Sequence, residues 1–196
     1  MFHEKKVSYP MFPILVEGPA VEPVLLPEMK EYLRVDDDAQ DDLIGGLIKA
    51  ARLMVEAAAR RILVSQRWKL MLHRWPRDGT VLLPLAPLLG VEKVQVYDPS
   101  GDPVELPPDS YEADAVSDPP RIVFDRMPPP GKAHNGIAID LLVGFGAAPD
   151  AVPATLRLAV KILVARWYEH RGDVAGPQEL PPEALALVAP FQRARL

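Results

Sequence analysis

Apolar residues at three- and four-residue steps predict a long helix over residues 38–61. Its expected core face carries the apolar series Leu43, Leu47, Ala51, Val55, Ala58 and Ile62. Its expected water-facing side carries Lys49, Arg52, Glu56 and Arg60. Gly45 and Gly46 each cost about 1 kcal/mol relative to alanine inside a helix. Either the close approach of another backbone or an irregular helix start would account for them.

A short helix over residues 27–34 is predicted to precede the long one, because Pro27 suits the first helical position. The acidic run Asp36–Asp42 lies between the two helices. It lacks the glycine and the glutamate that a calcium-binding EF-hand loop needs at its sixth and twelfth positions. We therefore expect it to cap the long helix and to complement its dipole.

A second long helix is predicted over residues 153–171, beginning at Pro153 and stopped by Gly172. Apolar residues surround most of its circumference, with interruptions only at Arg157, Lys161 and Arg166. A helix that is apolar nearly all round is expected to be buried nearly all round. One small sheet would not cover it, so a partner subunit would supply the missing surface.

Between these helices, over residues 63–143, the apolar period changes to two and turn residues separate short strands. The clearest strand has Ile137, Ile139, Leu141 and Val143 on one face. Short strands at near-regular spacing favour a small antiparallel β-sandwich or barrel. The predicted fold class is therefore α+β, a helical body with two long helices and short helices, joined to a small antiparallel sheet.

Both ends of the chain are predicted to lie outside that domain. Residues 1–24 are expected to form an extended, irregular arm because four prolines exclude a helix, and Phe12, Ile14 and Leu15 make the arm apolar. The arm would pack either on its own domain or on a neighbouring subunit.

Residues 173–196 are expected to form a tail that contains a short amphipathic helix. Its apolar residues are Leu185, Val188 and Phe191, and Arg193 and Arg195 lie at its end. The helix would either dock on its own domain or serve as a terminal peg for another protein.

Composition narrows the classes of function. Prolines number 23 of 196 residues, about 12% against a usual 5%. Cysteine is absent, which excludes disulfide scaffolds and thiolate sites. The formal net charge of −5 argues against a general nucleic-acid coat. No apolar run is long enough to span a membrane, and no targeting segment is visible, so synthesis and use in the cytoplasm, or in an assembly built there, are expected.

No residue pattern indicates catalysis. None of the four histidines (His3, His73, His134 and His170) has a partner at metal-ligand spacing. Gly144-Phe145-Gly146 follows a strand but leads into a proline instead of a nucleotide-binding helix. We therefore expect no catalytic residues, no cofactor and no metal.

The order of several short motifs carries more information. From Leu26-Pro27-Glu28-Met29 to Val35-Asp36, followed by Ala50-Ala51-Arg52, the chain resembles the start of the head–tail connector, or adaptor, family of long-tailed phages. Later motifs match in the same order: Gln66-Arg67-Trp68, Trp75-Pro76, Tyr97-Asp98, Tyr111, Pro120-Arg121-Ile122, Gly144-Phe145-Gly146 and Arg166-Trp167-Tyr168. The resemblance runs from about Leu26 to Gly172, so that a connector domain over residues 25–172 is expected. The alanine-, arginine- and proline-rich composition of the chain also resembles that of proteins from high-GC bacteria. Adaptors of this family also occur there in gene transfer agents.

The resemblance implies a non-enzymatic structural protein located in the neck of a phage or gene transfer agent particle. Members of the family form a ring, typically of twelve subunits, beneath the portal protein. The ring bridges the portal to a tail-side stopper or terminator and lets DNA pass without specific binding. The C-terminal region of such proteins typically reaches toward the portal. The residues expected at an interface with the portal, the tail or a neighbouring subunit are Phe12, Ile14, Leu15, Leu185, Val188, Phe191, Arg193 and Arg195. The alternative is an oligomeric soluble binding or regulatory module without catalysis.

Overall fold

The computed structural model describes residues 11–170 and 180–192. Along them, one strand is followed by two α-helices, seven strands and two further α-helices. The helices are α1 (Leu26–Leu33), α2 (Asp41–Ala59), α3 (Ala154–Glu169) and α4 (Pro182–Val188). The strands are β1 (Met11–Glu17), β2 (Gln66–Leu72), β3 (Thr80–Leu82), β4 (Leu88–Tyr97), β5 (Pro103–Glu105), β6 (Tyr111–Asp114), β7 (Arg121–Phe124) and β8 (Ile137–Val143). The predicted α+β class is confirmed. None of the described helices is long and apolar enough to cross a membrane.

The strands form two sheets. A five-stranded sheet has the order β1-β2-β8-β4-β5, and a three-stranded sheet has the order β3-β7-β6. The pairs β1–β2, β4–β5, β3–β7 and β6–β7 are antiparallel. Strand β8 lies in the middle of the larger sheet and is almost entirely buried, in keeping with a sequence that is apolar except at Asp140.

Two compact units share the chain, and each is assembled from separate segments. The first consists of the segment up to Gly18 together with Gln66–Pro84 and Leu88–Leu142, and it contains most of the β-structure. The second consists of Pro19–Ser65, Leu85–Pro87 and the segment from Val143 onward, and it contains the four helices.

In the second unit, α3 packs against α1, α2 and α4. The buried side of α3 is formed by Leu156, Ala159, Val160, Leu163 and Val164. The expectation that one copy leaves part of this helix uncovered agrees with the structure, because Leu158 is exposed and Trp167 is only partly buried. Cover by a partner subunit stays a prediction.

A charged cluster fixes α3 to the start of the unit. Arg157 donates two hydrogen bonds to the Glu28 carboxylate, at 2.7 and 2.8 Å, and another to the Pro23 carbonyl oxygen at 3.0 Å. Lys161 lies 2.7 Å from the same carboxylate. Burial alone would raise the pKa of Glu28, but the hydrogen bonds from Lys161 and Arg157 outweigh it and lower that pKa.

The buried face of α2 agrees only in part with the predicted one. Ala51 and Val55 are buried as predicted. Leu43 is exposed, however, and Ile44 and Ile48 are buried instead. Arg52 and Glu56, expected to face water, are only 3% and 8% exposed.

The Arg52 guanidinium contacts the carboxylates of Glu56 at 2.9 Å and of Glu22 at 2.7 Å. A Glu56 oxygen also accepts the Leu63 backbone N–H at 3.0 Å. Burial raises the pKa of Glu56, although Arg52 and the Leu63 N–H oppose that rise. A buried charge survives only when it is paired in this way, and spacing along the helix does not reveal a partner such as Glu22.

The acidic run does not cap α2 through its side chains. The N-cap residue is Gln40, and its side chain makes no capping hydrogen bond. Lys30 instead binds Asp38 and Asp41, at 2.5 and 2.8 Å. The expected dipole complementation is present, since Asp41 and Asp42 occupy the first helical turn.

The apolar arm is partly a regular strand. Residues of β1 pair antiparallel with β2, with Pro13 opposite Leu70. The prolines were expected to exclude regular structure, but an edge strand tolerates a proline because one of its sides needs no ladder donor. Residues 1–10 of the expected arm lie outside the described part of the chain.

Candidate interaction surfaces

Strand β1 presents the most continuous exposed apolar surface in the described residues. Phe12, Ile14, Leu15 and Val16 are each about half exposed or more. Side chains alternate along a strand, so Phe12 and Ile14 share one face while Leu15 points to the other. The register with β2 shifts between Leu15 and Glu17, so this alternation is not extended to Val16. Both faces of an edge strand are therefore apolar and uncovered. Of the expected interface residues, Phe12, Ile14 and Leu15 are available to a partner.

The C-terminal helix α4 docks on its own unit, which was one of the two alternatives. Val188 and Ala184 are fully buried. Phe191 packs at right angles to Phe145, with 6.3 Å between ring centroids, and its carbonyl oxygen accepts a hydrogen bond from Arg61 at 3.2 Å. Only Leu185 among the expected residues of α4 is exposed.

This placement limits what the tail offers a partner. Val188 can contact a partner only if α4 detaches from the rest of its unit, whereas Leu185 is accessible while α4 stays docked. Arg193 and Arg195 lie outside the described residues. The expected involvement of these residues in an interface stays a prediction.

A third surface was missed in the sequence. Along α2, residues that occur at three- and four-residue steps are all exposed, namely Leu43, Gly46, Ala50, Leu53 and Ala57. At 100° per residue they fall within an arc of about 80°. Exposed Lys49 and Arg60 border one side of this arc, and half-buried Leu47 and Met54 border the other. We call these five residues the α2 exposed face.

The two glycines in α2 have no explanation in the part of the chain that the structure describes. A Cβ atom added at Gly45 or at Gly46 would meet nothing within 4 Å. Both residues are helical and lie inside α2. Neither close approach of this chain's own backbone nor an irregular helix start therefore explains them. Gly46 belongs to the α2 exposed face, whereas Gly45 lies about 120° away from its centre.

The hairpin tip between β6 and β7 is rigidly held and carries an isolated apolar residue. Asp114 accepts hydrogen bonds from the backbone N–H groups of Val116 and Ser117, from the Ser117 hydroxyl and from Arg121. The Ser117 hydroxyl and N–H, together with Arg121, lower the pKa of Asp114 to about 2. Val116, at the tip, is 96% exposed.

Signs of chemistry are sparse in residues 11–170 and 180–192. No group of three metal-ligating side chains occurs there. An open groove of about 850 Å³ in the first unit is lined by Leu106, Pro107, Asp109, Ser110, Asp125, Arg126, Met127 and Pro128.

The glycine-containing segment after β8 has a structural role. Gly144 has φ +132°, and an added Cβ atom would lie 2.8 Å from the Ser65 backbone. The Gly144 N–H donates a hydrogen bond to the Pro87 carbonyl oxygen at 2.9 Å, and the Phe145 N–H donates one to the Leu63 carbonyl oxygen at 3.0 Å. Glycine allows two backbone segments to approach closely here, which accounts for the motif without a nucleotide.

Comparisons with known proteins add the decisive observation. No protein-family model matches the chain, and no curated protein is significantly similar to it. Several solved structures do match. One is a chain from the neck of an empty gene transfer agent (GTA) particle computed with C6 symmetry. It is 27% identical with a TM-score of 0.79, covering 93% of this chain and 97% of that chain.

Two further structures agree. A chain from the virion of a native GTA particle is 26% identical with a TM-score of 0.81, covering 94% of this chain and 96% of that one. A chain from the neck of a native GTA particle computed with C12 symmetry is 28% identical with a TM-score of 0.68, covering 93% and 97%. The expected location in a particle neck is confirmed. A structural role in the virion, instead of a catalytic one, is supported by the same comparisons.

Proposed function

We propose that this chain is the head–tail adaptor of a gene transfer agent or tailed phage. In this role it forms a ring between the portal protein and the tail-side stopper or terminator, and the ring is a conduit for DNA. The observation that carries the proposal is the near-complete coverage of both chains in the comparison with GTA neck components, at 26–28% identity. A shared single domain would leave part of one chain unmatched.

The ring is proposed to contain twelve copies. One similar chain comes from a neck computed with C12 symmetry, and another from a neck computed with C6 symmetry. A closed ring of identical subunits needs two different, complementary surfaces on each copy. The described residues offer separate exposed apolar surfaces for this purpose, on β1 and on α2.

The proposed conduit does not need to bind DNA. Strong contacts between basic side chains and phosphates would hold DNA in place, and the chain as a whole carries a net charge of −5. We expect the channel-facing surface of the assembled ring to lack a continuous lysine and arginine lining. The exposed side of α4, with Leu185, is the proposed contact to the portal.

Particle composition tests the function directly. An epitope-tagged chain is expressed in the strain that encodes it, and particles are purified by density gradient and immunoblotted. We expect the chain to cosediment with portal and tail proteins. Its absence from otherwise complete particles would refute the adaptor role and favour an oligomeric binding module instead.

A point substitution tests the portal contact better than removal of residues 181–196, because deletion would also strip buried Ala184 and Val188 from the core. Leu185→Glu places a charge on an exposed site and is expected to leave the melting temperature unchanged while reducing incorporation into particles. Val116→Glu, at the exposed hairpin tip, is the matched control. Equal incorporation of both variants would contradict a role for Leu185.

A further inference from the structure

We propose that, in the ring, β1 of one copy packs lengthwise on the α2 exposed face of the neighbouring copy. This inference rests on the proposed function and names the two surfaces that build the contact between subunits. It makes the occupant of each surface a second copy of this chain.

The first step concerns how β1 makes contact. A free strand edge pairs readily with another strand, but Pro13 interrupts β1 and Pro103 begins β5, the strand at the opposite edge of the sheet. Prolines at both edges disfavour strand addition. Strand β1 is therefore expected to work through its side chains, which are apolar on both faces.

The second step concerns what α2 offers. Leu43 and Leu53 are exposed on this face. Gly46, Ala50 and Ala57, between and beside them, are exposed too and carry no side chain larger than a methyl group. None of the described residues fills the space at Gly46. A side chain from outside the copy, such as Ile14 or Phe12, would fit there without displacing anything.

Length and charge agree with this pairing. Seven residues of β1 span about 20 Å at 3.4 Å per residue. The α2 exposed face spans about 21 Å at 1.5 Å per residue. Lys49 and Arg60 border that face and make no ion pair within the described residues. Glu17 ends β1 and forms an ion pair with Arg67 of its own copy, but its side chain stays 61% exposed and can contact a second cation. Aligning β1 parallel to α2 brings Glu17 next to Arg60, so we infer the parallel orientation.

Two different surfaces also satisfy the requirement of a ring. Contact between β1 of one copy and α2 of the next is heterologous. A growing row of copies therefore has one free β1 surface at one end and one free α2 exposed face at the other, until the ring closes. Contact of β1 with β1 would be two-fold symmetric and would stop at a dimer. The similar chains from necks with C6 and C12 symmetry favour the first arrangement.

Cysteine cross-linking tests the contact, because the natural chain has no cysteine. The central positions of the two surfaces do not depend on orientation, so the first variant combines Ile14→Cys with Ala50→Cys. A disulfide forms only when the two Cα atoms lie about 4.4–6.8 Å apart. Purified particles carrying this variant are oxidised mildly and run on a non-reducing gel. We expect loss of the monomer band and a ladder of oligomers.

Control variants separate the outcomes. Ile14→Cys alone and Val116→Cys with Ala50→Cys are expected to stay monomeric on the gel. Val16→Cys with Leu53→Cys tests the parallel orientation and replaces the first pair if that variant fails to fold. A chain that enters particles but gives no ladder with either pair would overturn the contact and leave the adaptor role intact. Dimers from Ile14→Cys alone would likewise overturn it, and absence of the natural chain from particles would overturn both proposals.

Discussion

The glycine pair in α2 permits a sharp test, because stability and assembly are expected to respond differently at two adjacent positions. Each glycine is helical, and an added Cβ meets nothing within 4 Å. Replacing glycine by alanine inside a helix gains about 1 kcal/mol. For a chain of this size that gain raises the melting temperature by about 2–4 °C. We expect Gly45→Ala and Gly46→Ala each to produce this increase.

Assembly should distinguish the two variants. Gly46 lies on the α2 exposed face, so a methyl group there would occupy space that we assign to the neighbouring copy. Gly45 points elsewhere and serves as the matched control. The assays are thermal unfolding of the free chain and quantification of the chain in purified particles. We expect both variants to be more stable and only Gly46→Ala to be incorporated less.

Two results would refute the reasoning. An unchanged or lower melting temperature for Gly45→Ala would mean that the helix interior does not penalise glycine as argued. Equal incorporation of the two variants would mean that no neighbour approaches α2 at Gly46.

Three further experiments, two on variants and one a titration of the natural chain, test the interior and the hairpin tip. Arg52→Ala leaves buried Glu56 unpaired and should lower the free energy of unfolding by about 3 kcal/mol in urea titrations, with a smaller additional loss when Glu56→Gln is combined with it. The pKa of Asp114 is lowered to about 2, so the stabilisation that its carboxylate gives the tip is complete above pH 3.8, the ordinary pKa, and is lost as the pH falls through about 2. The NMR chemical shift of the Asp114 carboxyl carbon should therefore titrate with a midpoint near pH 2. A midpoint near pH 3.8 would contradict the hydrogen bonding. Gly144→Ala should cost at least about 2 kcal/mol, since φ is +132° and the Cβ would strike the Ser65 backbone, and a neutral result in urea would refute that close approach.

Periodicity in the sequence was sufficient to place the helices and to predict the fold class. The apolar steps at Leu43 and Leu47 were assigned to the core of α2, but the neighbouring series through Ile44 and Ile48 is the buried one. Both series fit a helical period, because α2 is apolar around more than half of its circumference. The choice between them depends on which side α3 covers, and this is a tertiary contact.

The candidate surfaces were only partly predictable. The arm was expected to pack either on its own domain or on a neighbouring subunit. It pairs with β2 of its own copy, which was not foreseen, while Phe12, Ile14 and Leu15 stay exposed and available to a neighbour. Burial of Val188 could not be predicted either, because its short helix docks on residues far away in the sequence, such as those near Arg61. Long-range partners of this kind leave no local pattern.

The division of the chain into interleaved units has a consequence during synthesis. Helix α2 cannot bury Ile44 and Ile48 fully until α3, roughly a hundred residues later, has left the ribosome. At bacterial translation speed this interval lasts about 5–20 s. The apolar face of the nascent helix is therefore exposed to solvent for that time, and we expect ribosome-associated chaperones to bind it.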